Sequence, residues 1–160
     1  MLFRSMEDAA TVDLSEWQKM VEVNLNGVLA TTHAALSHLR AAAGGGRGIA
    51  DVVTISSVAG RKVAFPAANV YAATKHAVGA FSEALRQELA EHHVRVGLVE
   101  PGLVRSELTE ANGASQDAEE RLELGLMEPE DIADAVVYMV TRPRRTAVNE
   151  ILVRPTEQTR

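Results

Sequence analysis

Cysteine is absent from the sequence. That removes disulfide frameworks and thiolate metal sites, and it fits an intracellular setting. Long apolar runs are absent as well, so nothing approaches the ~20 residues that cross a bilayer. The opening MLFRSMEDAA carries an arginine and early acids where a signal peptide would have an apolar core. A cytoplasmic chain with no membrane partner is expected. Basic excess is lacking too: 16 Lys and Arg against 22 Asp and Glu leave a formal net charge of −6. With no basic stripe, nucleic acid is not an expected partner either. The sequence also lacks a phosphate cradle. The glycines of AAAGGGRG (41–48) follow a helical pattern and precede a strand, which reverses the strand, glycine loop, helix order that such a cradle requires. They read as a linker.

What remains is an ordinary globular composition, 46% hydrophobic and 24% charged over 160 residues. This suffices for one domain with a core. Ser15 opens a helical pattern, with Gln18 three residues on as a capping box. Trp17, Met20, Val21, Val28 and Leu36 then carry an apolar stripe to about Leu39, as one long helix or two joined end to end. Asn24 falls on that stripe, where it is a satisfied core amide, a kink residue or a functional group. A β-branched run at 51–57 reads as a strand buried on both faces and ends in Ser56 and Ser57.

A helix is expected from Asn69 to about His92, with Val78, Phe81, Leu85 and Leu89 on its main apolar face. VRVGLVE (94–100) is a second buried strand, stopped by Pro101-Gly102. Residues 103–127 are polar and acidic and suggest a partly helical flap. Pro129, Glu130 and Asp131 start a third helix that closes toward Arg142. VNEILV (148–153) is the last strand. Strands alternating with helices give an α/β class with a parallel sheet and crossover helices.

Tyr71 and Lys75 stand four residues apart, so a phenol and an ammonium share one helix face. Taken alone, they are an ordinary exposed pair. Ser57 and Pro101-Gly102 end neighbouring strands, and ligands of parallel α/β sheets collect beyond the carboxyl ends of strands. Topology therefore brings the serine, the tyrosine and the Pro-Gly turn to one rim. The five histidines form no ligand set: His33 and His38 are five apart on different faces, and His92-His93 ends a helix.

A strand ending in Ser-Ser, a loop and then Tyr-x-x-x-Lys resembles the short-chain dehydrogenase/reductase family. Asn24 in VEVNLNG, Pro101-Gly102 in VEPGLVRSEL and the closing PEDIADAVVYM and VNEILVRP extend the resemblance over nearly the whole chain. It implies an oxidoreductase that moves hydride between a CH–OH or carbonyl substrate and NAD or NADP. Within it Tyr71 is the acid/base, Lys75 lowers the tyrosine pKa and bonds the nicotinamide ribose, Ser57 bonds the substrate oxygen, and Asn24 holds a relay water. Pro101, Gly102, Val104 and Ser106 match the family's Pro-Gly-x-Val-x-Thr, which lies against the nicotinamide, with serine in place of threonine. The ending VNEILVRPTEQ resembles the NADP-dependent branch that acts on 3-hydroxy acids and serine.

The same resemblance implies an incomplete Rossmann-like, doubly wound domain over 1–160. Residues 103–128 form its substrate-loop region, and the first βαβ with its Thr-Gly-x-x-x-Gly-x-Gly turn is missing. It implies a homo-dimer or tetramer through the two long helices. Without the Gly-rich turn the phosphates lose their main anchor, so the isolated chain is expected to bind the dinucleotide weakly or not at all, and strand 51–57 to keep an open apolar edge. A non-catalytic truncated fragment, or an oligomerisation module, unable to bind the dinucleotide is the alternative reading.

Overall fold

A computed structural model describes residues 8–63, 66–107 and 122–159. Asp13 starts helix α1 (Leu14–Val21): its extended backbone (φ −68°, ψ 134°) lets the carboxylate accept the Ser15 N–H at 2.8 Å. The cap is thus Asp13 rather than Ser15, because a carboxylate one step outside the helix reaches an otherwise unpaired N–H. The Ser15 hydroxyl, and after it this N–H, hold the Asp13 carboxyl below its ordinary pKa. The apolar stripe runs on through one π-helical segment, Glu22–Asn26, into α2 (Gly27–Ala43). The two-helix expectation holds, and the join is a π turn. Helix α2 consumes the first residues of the glycine segment, which then turns at Gly48 (φ 64°) into β1 (Ala50–Ile55).

Helix α3 (Asn69–Leu89) follows, then a 3-10 turn (Ala90–His92) and β2 (Val94–Pro101). Helix α4 (Pro129–Val140) and β3 (Glu150–Val153) complete the order. The three strands are parallel in the order β1-β2-β3, with Val52 opposite Val96 and Val99 opposite Ile151. The α/β class with crossover helices is therefore the one that forms.

Strand alternation divides the sheet's two faces. Val94 and Val96 pack with Leu85 and Leu89 of α3 and with Ala43 of α2. Leu89 is 1% exposed, and burial of such a side chain contributes about 2 kcal/mol. Gly97 points the other way. A Cβ there would lie 2.2 Å from the Met139 methyl of α4, so the glycine sets how closely α4 approaches the sheet.

Arg95, on that second face, ties α4 to the strands. Its guanidinium donates to the Asp51 carboxylate at 2.7 Å and to the carbonyls of Val140, Arg142 and Thr146 at 3.1, 3.1 and 2.8 Å. The Val140 carbonyl is one that the helix end leaves unpaired, and those of Arg142 and Thr146 belong to the turn that follows. β1 pairs with β2 alone among the described strands. Its other edge lines an open apolar groove of about 690 Å³ with Val23, Val28, Ala35 and Leu39. Strand 51–57 is therefore half-buried rather than covered on both faces. No helix among the described residues is long and apolar enough to cross a membrane.

Candidate active site

The site grows from the carboxyl end of β1. Ser56 still pairs with the sheet, its N–H donating to the Val99 carbonyl at 2.7 Å. Ser57 then leaves the sheet in an extended conformation (φ −170°, ψ 158°) and caps a 3-10 turn, Val58–Gly60; its hydroxyl accepts the Ala59 N–H at 3.1 Å. This turn lies directly against α3. Ala59 shares a buried cluster with Tyr71, Ala72 and Met20. A Cβ at Gly60 would stand 2.9 Å from the Lys75 carbonyl oxygen, so only glycine permits that approach.

Tyr71 and Lys75 occupy the first two turns of α3, 6% and 1% exposed. The Lys75 Nζ lies 5.8 Å from the Tyr71 ring centroid and donates to the Ile55 carbonyl, the last of β1, at 3.2 Å. Burial depresses the Lys75 pKa to about 8, since removal from water penalises the charged form. Lys75 therefore belongs to the interior of the site and is not an exposed partner of Tyr71. The Ser56 hydroxyl is also buried, and it has no hydrogen-bond partner among the described residues.

Asn24 arrives from the opposite side. The π turn directs it inward to 0% exposure, and its Nδ2 donates to the Thr74 Oγ1 at 3.4 Å. Thr74 in turn donates to the Tyr71 carbonyl at 2.8 Å. Asn24 thus grips the helical turn between Tyr71 and Lys75, with Thr74 as the link. Sequence reasoning passed over Thr74; the signal was a β-branched hydroxyl at i+3 from the tyrosine, on a helix face that had to be buried.

Of the Pro-Gly segment, Pro101 is buried at the end of β2, while Gly102, Val104 and Ser106 are half-buried. Val104 bridges Met127 in parallel, bringing together the two described ends of the 103–128 region. Its interior, with the expected flap, lies outside the described residues. The carboxyl-terminal turn holds both ends: Gln158 Oε1 accepts the Leu103 N–H, and a Glu157 carboxylate oxygen accepts the Leu124 N–H, each at 2.9 Å. A Cβ at Gly102 would stand 2.1 Å from Gln158 Oε1, so the glycine here makes room for the tail. In the sequence these tail residues stood out only as part of the ending VNEILVRPTEQ, with no role of their own. Among the described residues no three His, Asp or Glu side chains gather as a metal site.

The family model described as short chain dehydrogenase matches residues 3–117. Among curated proteins, a glycine betaine reductase of Emericella nidulans is 37% identical over 155 residues, which are 93% of this chain and 12% of that protein. An uncharacterized oxidoreductase of Staphylococcus saprophyticus is 36% identical over 148 residues, 89% of this chain and 57% of the relative. Among solved structures, the closed form of serine dehydrogenase complexed with NADP+ superposes with a TM-score of 0.85 at 31% identity. It covers 99% of this chain, which spans 63% of that one. The three strands and their helices therefore correspond to part of a larger Rossmann-like sheet, and the chain spans little more than half the length of the staphylococcal relative. With a family match over most of its residues, the chain belongs to the short chain dehydrogenase family.

Proposed function

We propose that this chain is the catalytic portion of an NAD(P)-dependent oxidoreductase acting on small hydroxy acids or hydroxy amino acids, with Tyr71 as the acid/base. The observation that carries the reading is a lysine 1% exposed, one helical turn from a buried tyrosine and against a strand end that leads into a serine. A buried ammonium is costly, and such groups cluster where a charge is used. In the oxidation direction the substrate hydroxyl gives its proton to the Tyr71 phenolate while its C–H hydride leaves. The nicotinamide ring, when bound, supplies the hydride acceptor. Lys75 favours the phenolate as long as it holds its own proton. Ser57 donates to the substrate oxygen and steadies charge developing there. Asn24, held by Thr74, keeps a water between Lys75 and solvent.

The rim fits the nicotinamide end of the cofactor, with Pro101, Gly102, Val104 and Ser106 as its backing and Tyr71 and Lys75 toward the ribose. The phosphates find no match, because the sequence of residues 1–160 contains no Thr-Gly-x-x-x-Gly-x-Gly turn. NADP and a serine-like substrate are preferred on the similarity to serine dehydrogenase. Self-association through α2 and α3 belongs to the same reading. Within the chain α2 fully buries only Thr32 and Ala43, which leaves surface for a second copy.

The test is a screen of the purified 160-residue protein with millimolar NAD+ or NADP+ against serine, threonine and small 3-hydroxy acids. Slow reduction of cofactor with at least one hydroxy substrate is expected, together with calorimetric cofactor affinity weaker than micromolar. No reduction with either cofactor would overturn the dehydrogenase reading. Micromolar affinity would overturn the claim that the phosphates lack an anchor.

A further inference from the structure

We propose that Arg61 is a positioning residue for Ser57, with Glu100 as its buried counter-charge. The inference rests on the reading above, in which the Ser57 hydroxyl meets the substrate oxygen. Ser57 is held through the turn it caps. Within that turn the Gly60 N–H donates to the Ser57 carbonyl at 2.8 Å, and the Arg61 N–H to the Val58 carbonyl at 3.1 Å. One side of the turn is fixed to α3, by Ala59 in the Tyr71 cluster and by Gly60 against the Lys75 carbonyl. Lys62 and Val63 are exposed, although the Lys62 N–H also donates to the Val58 carbonyl at 3.2 Å.

A further anchor, among the described residues, is the Arg61 guanidinium. Its Nε donates to Glu100 and its Nη2 to Glu150. Glu100 is 4% exposed and lies on the α3 face of β2, immediately before Pro101-Gly102; Glu150 opens β3. One side chain therefore fastens the Ser57 turn to two strands, across 39 and 89 residues of sequence. The two carboxylates in turn keep the Arg61 charge strongly favoured. A carboxylate buried this deeply is unfavourable without a partner. A planar fork can serve two carboxylates at once, whereas a lysine offers a single point charge. Glu100 has no place in the proton transfer itself, so the pair's contribution is geometric: it sets where the serine hydroxyl stands relative to Tyr71.

The test combines amide hydrogen exchange with kinetics on Arg61→Met, Arg61→Lys, Glu100→Gln and the double variant Arg61→Met/Glu100→Gln. In Arg61→Met the Gly60 and Arg61 amides are expected to exchange about tenfold faster or more, with the Leu98 and Val99 amides of β2 unchanged. Arg61→Lys should fall between that variant and the unmodified protein. Turnover in Arg61→Met should drop about tenfold or more, with KM for the nicotinamide cofactor unaltered, because Ser57 faces the substrate oxygen. The double variant removes both charges, so its thermal midpoint should recover while kcat stays low. Unchanged Gly60 and Arg61 exchange in Arg61→Met, or full recovery of kcat in the double variant, would overturn the proposal. Absence of turnover in the unmodified protein would count against the dehydrogenase reading alone, and the exchange measurement would then decide the role of Arg61.

Discussion

Tyr71→Phe is expected to lower kcat by about 100- to 10,000-fold, the usual contribution of one positioned acid/base. This corresponds to about 3–5 kcal/mol of barrier. Removal of one buried hydroxyl changes stability by only about 1 kcal/mol, and the aromatic ring that packs on Ala59 and Met20 is retained. Kinetics and folding therefore separate in this variant. Steady-state rates at saturating substrate, read beside a urea unfolding curve, check both parts. Turnover within a few-fold of the unmodified protein would remove Tyr71 from the mechanism.

The second large effect is on stability and follows from Lys75. Its ordinary pKa is 10.5 and burial lowers it to about 8 in the folded chain. Between those values the unfolded chain holds a proton that the folded chain has released, so stability rises with pH across the window. Below about pH 8 both states are charged there, and the cost of burying the ammonium is felt in full; above pH 10.5 both are neutral and that cost is gone. The rise amounts to about 3 kcal/mol at most. Lys75→Met should flatten it while losing catalysis, because a neutral chain of similar length fills the space but offers no charge to the phenol. It also leaves the Ile55 carbonyl without the Lys75 donor, so the absolute stability of the variant is less telling than its slope. Urea midpoints from pH 7 to 10.5, compared between the two proteins, are the measurement. Parallel curves would mean that the lysine is not desolvated in solution.

Legibility in the sequence followed the range of the interactions. Helix α3 begins at Asn69, as its apolar period required, and α4 begins at Pro129, where a missing N–H costs nothing. Tyr71 and Lys75 were readable as a pair because four residues is one turn of helix. The π segment at Glu22–Asn26 was not, because one wider turn leaves the apolar stripe almost unchanged while it redirects a single amide. Ser15 displaced Asp13 as the expected cap because the capping-box spacing to Gln18 was present, yet the better acceptor stood two residues earlier. Last strand β3 starts at Glu150 rather than Val148, since strand ends depend on which neighbour supplies the bonds. The contacts that shape the site most finely join segments far apart: Arg61 to Glu100 and Glu150, Gln158 to Leu103, Asn24 to Thr74. No local pattern encodes such pairs.

The proposed help that Lys75 gives to ionisation of Tyr71 can be measured directly, because the composition permits it. The chain has two tyrosines. Tyr138 is 51% exposed on α4 with the Arg142 guanidinium over its ring, so Tyr138→Phe is a mild change that leaves Tyr71 as the sole phenol. Tyrosinate absorbance followed against pH in that background should begin to rise at lower pH with Lys75 present than with Lys75→Met. Superimposable curves up to about pH 8, the range in which Lys75 still holds its proton, would show that the ammonium has no hold on the phenol, and the proposed proton transfer would lose its basis.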